Sequence, residues 1–305
     1  MDRSWFLLAV LSPFLWSMCN HIDKIVLEKY FKEGGVGALI IVSALASIIA
    51  VPFLYIMDPT VLEIEPGTAW VIVLTAVLDV VLLWAYLSAL QKDESTNVIL
   101  YYQLVPIFGL GTGYLFLGET VSSGQLAAMA IVILGTSIVS LETTEGKFCF
   151  KKRTVGFMLL ACAAWAAELA IFKVVAIEDN AWRTLFWKHI VLTGIGVVIF
   201  AFVPRYRRNF LGAMRSNSVP ILGLNLLNEV LYMLGAIAYG LAVMHAPVGV
   251  VLLTETFQSI FVFVLGLLIA AFLPKLATES TDIGNVMRKV VAIGVTGLGT
   301  YLLLV

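Results

Sequence analysis

The chain has 305 residues, 61% of them hydrophobic and 13% charged, with a net charge of −1. Soluble domains run about 45–50% apolar and about 25% charged, which excludes an ordinary soluble domain, a secreted disulfide scaffold, a nucleic-acid binder and any sizeable soluble catalytic domain. A mean hydropathy of +0.99 leaves a polytopic membrane protein. At roughly 20 apolar residues per helix, the length suits ten spans joined by short connections.

In chain order the predicted spans run 4–24, 36–56, 68–90, 96–117, 124–141, 155–177, 183–203, 218–242, 247–270 and 287–305. The run from Trp5 to Cys19 is followed by further spans and by no small-residue cleavage site, so it reads as a membrane helix rather than a signal peptide. Pro59 and Pro66 bracket the second connection, Pro106 interrupts the fourth span, and Pro220 and Pro247 stand at helix starts, where proline is tolerated. Cys19, Cys149 and Cys162 are scattered and read as free thiols, with no spacing for a metal or a disulfide frame.

The sequence repeats itself. A shift of 149 puts Leu11, Trp16, Ile22, Lys24 and Val26 on Leu160, Trp165, Ile171, Lys173 and Val175. A shift of 153 puts Ala85, Tyr86, Ala89, Val98, Ile107, Phe108 and Gly113 on Ala238, Tyr239, Ala242, Val251, Ile260, Phe261 and Gly266. Each half holds an odd number of spans, so the second half enters the membrane in the opposite sense. That is an inverted repeat, the architecture on which many transporters alternate access around a midplane site. The expected organisation is a first five-helix repeat over 1–142, a linker over 143–154 and a second repeat over 155–305.

Positive charge sets the orientation. The odd-numbered connections hold Lys29, Lys32, Lys92, Lys147, Lys151, Lys152, Arg153, Arg205, Arg207, Arg208, Arg215 and Lys275, whereas the connection from Met57 to Gly67 holds only acids. Both termini are therefore expected outside, with the linker and a loop over Arg205–Arg215 in the cytoplasm. The expected location is a bacterial-type plasma (inner) membrane.

From Tyr102 to Ser140 the chain reads YQLVPIFGLGTGYLFLGETVSSGQLAAMAIVILGTSIVS, an apolar run with a central proline, a Leu-Gly-Glu at its end and a glycine-spotted helix closing on Gly-Thr. This resembles the fourth and fifth helices of the EamA family of the drug/metabolite transporter superfamily. FLWSMCNHIDK (14–24) resembles that family's opening helix, and GVTGLGTYLLLV (294–305) its last. The second half departs at Ser259, which stands where Pro106 would repeat, and no Leu-Gly-Glu follows it. The resemblance implies an all-α protein of ten helices and small-metabolite transport, without naming a substrate.

An ionisable residue inside a span costs about 2.5–3.5 kcal/mol on insertion scales, so each needs a reason. Asp23, Lys24, Asp79, Glu168, Lys173, Lys188, His189, Glu229 and Glu255 are the residues concerned. Glu255 falls well inside the ninth span and shares a helical face with Gln258; it can exchange protons or pin helices as a neutral or Lys-paired acid. Asn225, Asn228, Glu229 and Tyr232 form one stripe on the eighth span, read as a cavity wall. Asp79, Leu83 and Tyr86 form the matching face of the third. Trp16, Asn20 and Lys24 share a face of the first span. Lys24 and Lys173 have three readings: counter-ions for Asp79, Glu168 or Glu255, ligands for an anionic substrate, or snorkelling side chains. Their recurrence in the repeat argues against pure snorkelling, and counter-ion is the leading reading.

Trp5, Tyr30, Tyr55, Trp70, Trp182 and Tyr206 sit near span ends, as an interfacial belt requires. The deeper Tyr102 and Trp165 are candidate site walls, and His21 and His245 are expected in water. GLGTG at 109–113 and Gly294, Gly297 and Gly299 read as close helix contacts. The expected substrate-binding set is Trp16, Asn20, Asp79, Tyr86, Tyr102, Trp165, Asn228, Tyr232 and Gln258. The expected proton-coupling or charge-pairing set is Glu255, Glu229, Glu168, Lys24 and Lys173. The leading function is a secondary transporter of a small metabolite, an amino acid or related compound, coupled to protons, acting without cofactor or metal as a monomer or homodimer in the bilayer. The alternatives are a flippase for a lipid-linked head group, a multidrug or organic-cation exporter, and a membrane-embedded enzyme, which lacks any nucleophile or metal motif.

Overall fold

The computed structural model describes residues 4–31, 35–62, 66–109, 111, 122–144, 147–178, 181–245, 254–276 and 279–304. Its helices are α1 (Ser4–Lys29), α2 (Val36–Ala46), α3 (Ala50–Met57), α4 (Pro66–Leu90), α5 (Ser95–Leu100), α6 (Ser123–Ser140), α7 (Lys152–Glu178), α8 (Ala181–Phe202), α9 (Pro204–His245), α10 (Thr256–Phe272) and α11 (Ile283–Leu304). Four helical stretches among the described residues are long and apolar enough to cross a membrane: Val36–Met57, Gly67–Leu90, Trp182–Phe202 and Pro204–Tyr239. Large apolar side chains face outward, Trp70, Phe202 and Val219 at 79%, 79% and 81% exposure. Outward apolar surface of this extent suits a lipid surround.

Prolines explain the breaks. Pro52 cannot donate to the carbonyl of Ile48, and the rod 36–57 tightens into a 3₁₀ turn at Ser47–Ile49. The same happens ahead of Pro106, where α5 passes into a 3₁₀ turn at Tyr101–Leu104. Pro13 inside α1 orphans the carbonyl of Ala9, and the hydroxyl of Thr254 donates to it at 2.9 Å. This bond ties the entry of α10 to α1.

Two expectations about connections are corrected. Arg205–Arg215 is helical: α9 starts on Pro204, its fixed φ suited to a first turn, and runs to His245 through a break at Asn217 (φ −143°, ψ 35°). Pro220, whose ring clashes with the carbonyl four residues back, accounts for the break. The basic segment lies against α2, the ring of Tyr206 over Gly37, where a Cβ would come within 2.2 Å of it. The linker folds as a two-stranded antiparallel ribbon, Leu141–Thr144 paired with Lys147–Phe150, an exception to the all-α expectation.

α1 packs on α9 and α10, α4 on α7 and α8, α2 on α8 and α9, and α6 on α11. The α6–α11 contact is close because it is built on glycine. A Cβ on Gly135 would fall 2.5 Å from Thr296 Cγ2, and one on Gly299 2.7 Å from Val132. Gly109, Gly111 and Gly294, also read as close contacts, have no atom within 4 Å of a Cβ position, and Gly297 touches Thr256 only at 3.4 Å.

Two buried networks gather the odd-numbered connections at one end of the molecule. Asp93 accepts from Lys151 at 2.8 Å. Glu94 and Glu279 both bond Lys289, whose side chain is fully buried, while Glu279 accepts from the Thr96 amide at 2.9 Å. At the other end Trp187 Nε1 donates to the carbonyl of Val61 at 2.8 Å, joining the second connection to the start of α8.

Candidate functional site

On α1, Trp16, Asn20 and Asp23 fall at i, i+4 and i+7, one face of a helix. That face meets α4, α9 and α10 in a file of hydrogen bonds. Gln258 Nε2 donates to Asn20 Oδ1 at 3.0 Å, Asn20 Nδ2 to the Tyr86 hydroxyl at 3.0 Å, and that hydroxyl to Asp23 Oδ2 at 3.3 Å. Asn228 Nδ2 closes the file on Asp23 Oδ1 at 2.9 Å. Five polar side chains are thereby joined to one another inside an apolar bundle, as such groups require, and the Asn228 side-chain carbonyl is left without a hydrogen-bond partner.

Aromatic rings wall the file. Tyr86 stacks on Tyr102 at a centroid distance of 5.9 Å, and Tyr102 meets Trp165 edge-on at 4.9 Å. Trp16 stands between Tyr232 and Tyr239 at 6.2 and 5.9 Å, its Nε1 donating to the carbonyl of Tyr232 at 3.3 Å. Gly235 lets the indole approach α9, since a Cβ there would lie 2.6 Å from Nε1. Glu255 is hydrogen-bonded to Tyr239 and borders a cavity of about 30 Å³ with Tyr102, Trp165, Gln258, Gln103 and Thr300. That is room for about one water.

A second cluster lies where α4, α7 and α8 meet. Lys188 Nζ reaches Asp79 Oδ2 at 2.7 Å and Glu168 Oε1 at 2.8 Å. Tyr232 is within electrostatic reach of all three residues and of Glu229, which connects this cluster to the α1–α9 face.

Most expected substrate-binding residues therefore meet: Trp16, Asn20, Tyr86, Tyr102, Trp165, Asn228, Tyr232 and Gln258 surround one region, with Asp79 in the adjoining ion cluster. Lys24 corrects its leading reading as a counter-ion for Asp79, Glu168 or Glu255. Its Nζ donates to the carbonyls of Leu90 and Asp93 at 2.6 and 2.8 Å and pairs with Glu28 at 2.9 Å. It thus satisfies the open carbonyls at the C-terminal end of α4. The Lys173 side chain lies outside the described residues. Glu255 stands at the N-cap of α10 and is hydrogen-bonded to Tyr239. Asn225 leaves the stripe by donating to the carbonyl of Ile221 on its own helix. His21 is buried and bonded to the carbonyl of Val262, and His189 bonds the carbonyl of Leu185. The side chains of His245 and Cys149 lie outside the described residues.

Two residues were missed as site members, Asp23 and Lys188. Neither has a like partner in the repeat: a shift of 149 puts Asp23 on Phe172, and shifts of 153 and 149 trace Lys188 back to Gly35 and Leu39. The signal available for Asp23 was its helical face, three residues on from Asn20. Among the described residues no group of three or more His, Cys, Asp and Glu side chains is arranged to hold a metal ion.

The apolar helices and the polar interior define an integral membrane protein with a buried polar site. Residues 3–141 match the model of the EamA-like transporter family, so over those residues the chain is similar to the family that its motifs resemble. That family implies a membrane transporter of the drug/metabolite type. A solved structure described only as a crystal structure of a protein matches with a TM-score of 0.51 at 14% identity, over 99% of this chain and 96% of that one. The likeness concerns the fold alone. No curated protein matches the chain.

Proposed function

We propose that the chain is a secondary active transporter that moves a small metabolite, an amino acid or related compound, by alternating access, with protons as the coupling ion. The observation carrying this reading is the polar file Gln258–Asn20–Tyr86–Asp23–Asn228, drawn from both halves of the chain and walled by aromatic rings. A polar interior of this extent goes beyond what pinning helices together needs, and intramembrane acids mark substrate and proton pathways.

The helix pairings support two inverted five-helix repeats. Exchanging the halves takes α1 to α7, the rod 36–57 to α8, α4 to α9 and α6 to α11. Under that exchange the pair α1–α9 becomes α7–α4, α2–α9 becomes α8–α4, and the pairs α2–α8 and α6–α11 map onto themselves; all these pairs are in contact. Tyr86 stacked on Tyr102 corresponds to Tyr239 bonded to Glu255, each shifted by 153. The halves rock about the shared file, with the linker cytoplasmic and both termini outside. Glu255, Glu229 and Asp23 carry the coupling proton.

The test uses purified protein in liposomes loaded with a pH-sensitive dye, to which pooled amino acids, amines, nucleobases and organic acids are added in turn. One pool is expected to shift the lumenal pH with wild type and not with Glu255→Gln or Asp23→Asn. Silence from every pool with folded protein removes proton coupling and brings uniport or head-group flipping forward.

A further inference from the structure

The interior holds more acidic than basic side chains. Asp23, Asp79, Glu168, Glu229 and Glu255 all face it, and among the described side chains Lys188 is the cation that meets them, already shared between Asp79 and Glu168. Lys24 is turned to the end of α4. Asp23, 9% exposed, is held by two neutral donors, Tyr86 and Asn228. The remaining oxygens there are acceptors in want of a donor. The side-chain carbonyl of Asn228 is buried with no hydrogen-bond partner. Glu229, one residue on and within electrostatic reach of Asp23, has no hydrogen-bond or ion-pair partner among the described residues. Unpaired acceptors of this kind are costly in a low-dielectric interior.

Resting on the transporter reading above, we propose that this site selects a ligand of net positive charge: an amine-bearing metabolite with an aromatic or alkyl body. Its ammonium lies between α1 and α9 among Asp23, Glu229 and the Asn228 carbonyl. An ammonium brings three donors and a charge, which is what these oxygens lack. Trp16, with Tyr232 and Tyr239 on either side, offers ring faces to the same cation. A carboxylate ligand would meet the acidic side chains of Asp23 and Glu229 there, which repel it. The cavity of about 30 Å³ beside Glu255 is too small for such a ligand, so binding goes with a parting of α1 and α9.

Calorimetric titration of the purified protein with three near-isosteres tests this: phenethylammonium, phenethyl alcohol and 3-phenylpropionate. The ammonium is expected to bind at least tenfold tighter than the alcohol, about 1.4 kcal/mol, with the carboxylate weakest. Asp23→Asn and Glu229→Gln should each erase the preference, and either variant suffices if the other does not fold. Equal or tighter binding of the alcohol or the carboxylate overturns the proposal, as does no binding by any probe or a preference that survives both substitutions. Ammonium binding without movement of any solute in liposomes removes the transporter reading and leaves the charge preference. Movement of a carboxylate does the reverse.

Discussion

Replacing Lys188 with methionine keeps the length of the side chain and deletes the charge that Asp79 and Glu168 share. The side chains of Lys188 and Glu168 are 11% and 7% exposed, that of Asp79 26%, so both carboxylates stay in a low-dielectric interior when their cation goes. Breaking a buried pair by removing one partner costs about 3–5 kcal/mol. Asp79, the more open of the two, is eased by water, which puts the expectation near the lower figure. At about 2–4 °C per kcal/mol for a chain of this order, Lys188→Met should lower the melting temperature in detergent by about 6–12 °C in a thermal-shift assay. The triple variant Lys188→Met, Asp79→Asn, Glu168→Gln should regain most of that loss, because no uncompensated charge remains. A single variant as stable as wild type, or a triple variant no better than the single, refutes the argument.

Thr254→Val removes the donor to the Ala9 carbonyl and should cost about 1–3 kcal/mol; in a Pro13→Ala background the restored amide serves that carbonyl, so the same substitution should cost clearly less, and equal costs in the two backgrounds count against the assignment. Burial holds the Glu94 carboxyl above the usual carboxylate range, against the opposing pull of Lys289. Glu94 thus binds its proton more tightly folded than unfolded, and its contribution to stability is whole below the ordinary glutamate value and lost as pH rises through the raised one. Glu94→Gln should flatten that part of the pH–stability curve, and a variant curve parallel to wild type rules the effect out.

Much of this molecule could be read without coordinates. The helices begin and end near the predicted spans because apolar run length is a local quantity and prolines break helices locally. Pro106 disturbs its helix as expected, and the aromatic pairings join Tyr86 and Trp165, which the repeat singled out, to Tyr102, which depth in the span singled out. The basic run 205–215 misled because its charge reads as a loop, whereas its apolar residues, Tyr206 and Phe210 among them, give it a face to lay on the core. Lys188, though among the intramembrane charges, stayed outside the expected site because recurrence between the halves was used to rank charges, and an asymmetric ion cluster leaves no trace in a repeat.

Composition and spacing by themselves determined that this chain lives in a membrane, roughly where its helices lie, and which residues are too polar to face lipid, since each of these follows from a per-residue transfer free energy. The pairing of those residues was decided only by tertiary structure. Asp23 and Lys24 are neighbours in sequence, but successive residues on a helix point about 100° apart. The first therefore turns inward to Tyr86 and Asn228, and the second sideways to the end of α4. The rotation of α1 about its own axis, set by Trp16 against Gly235 and by the Thr254 bond at Pro13, chose which charge faces the site.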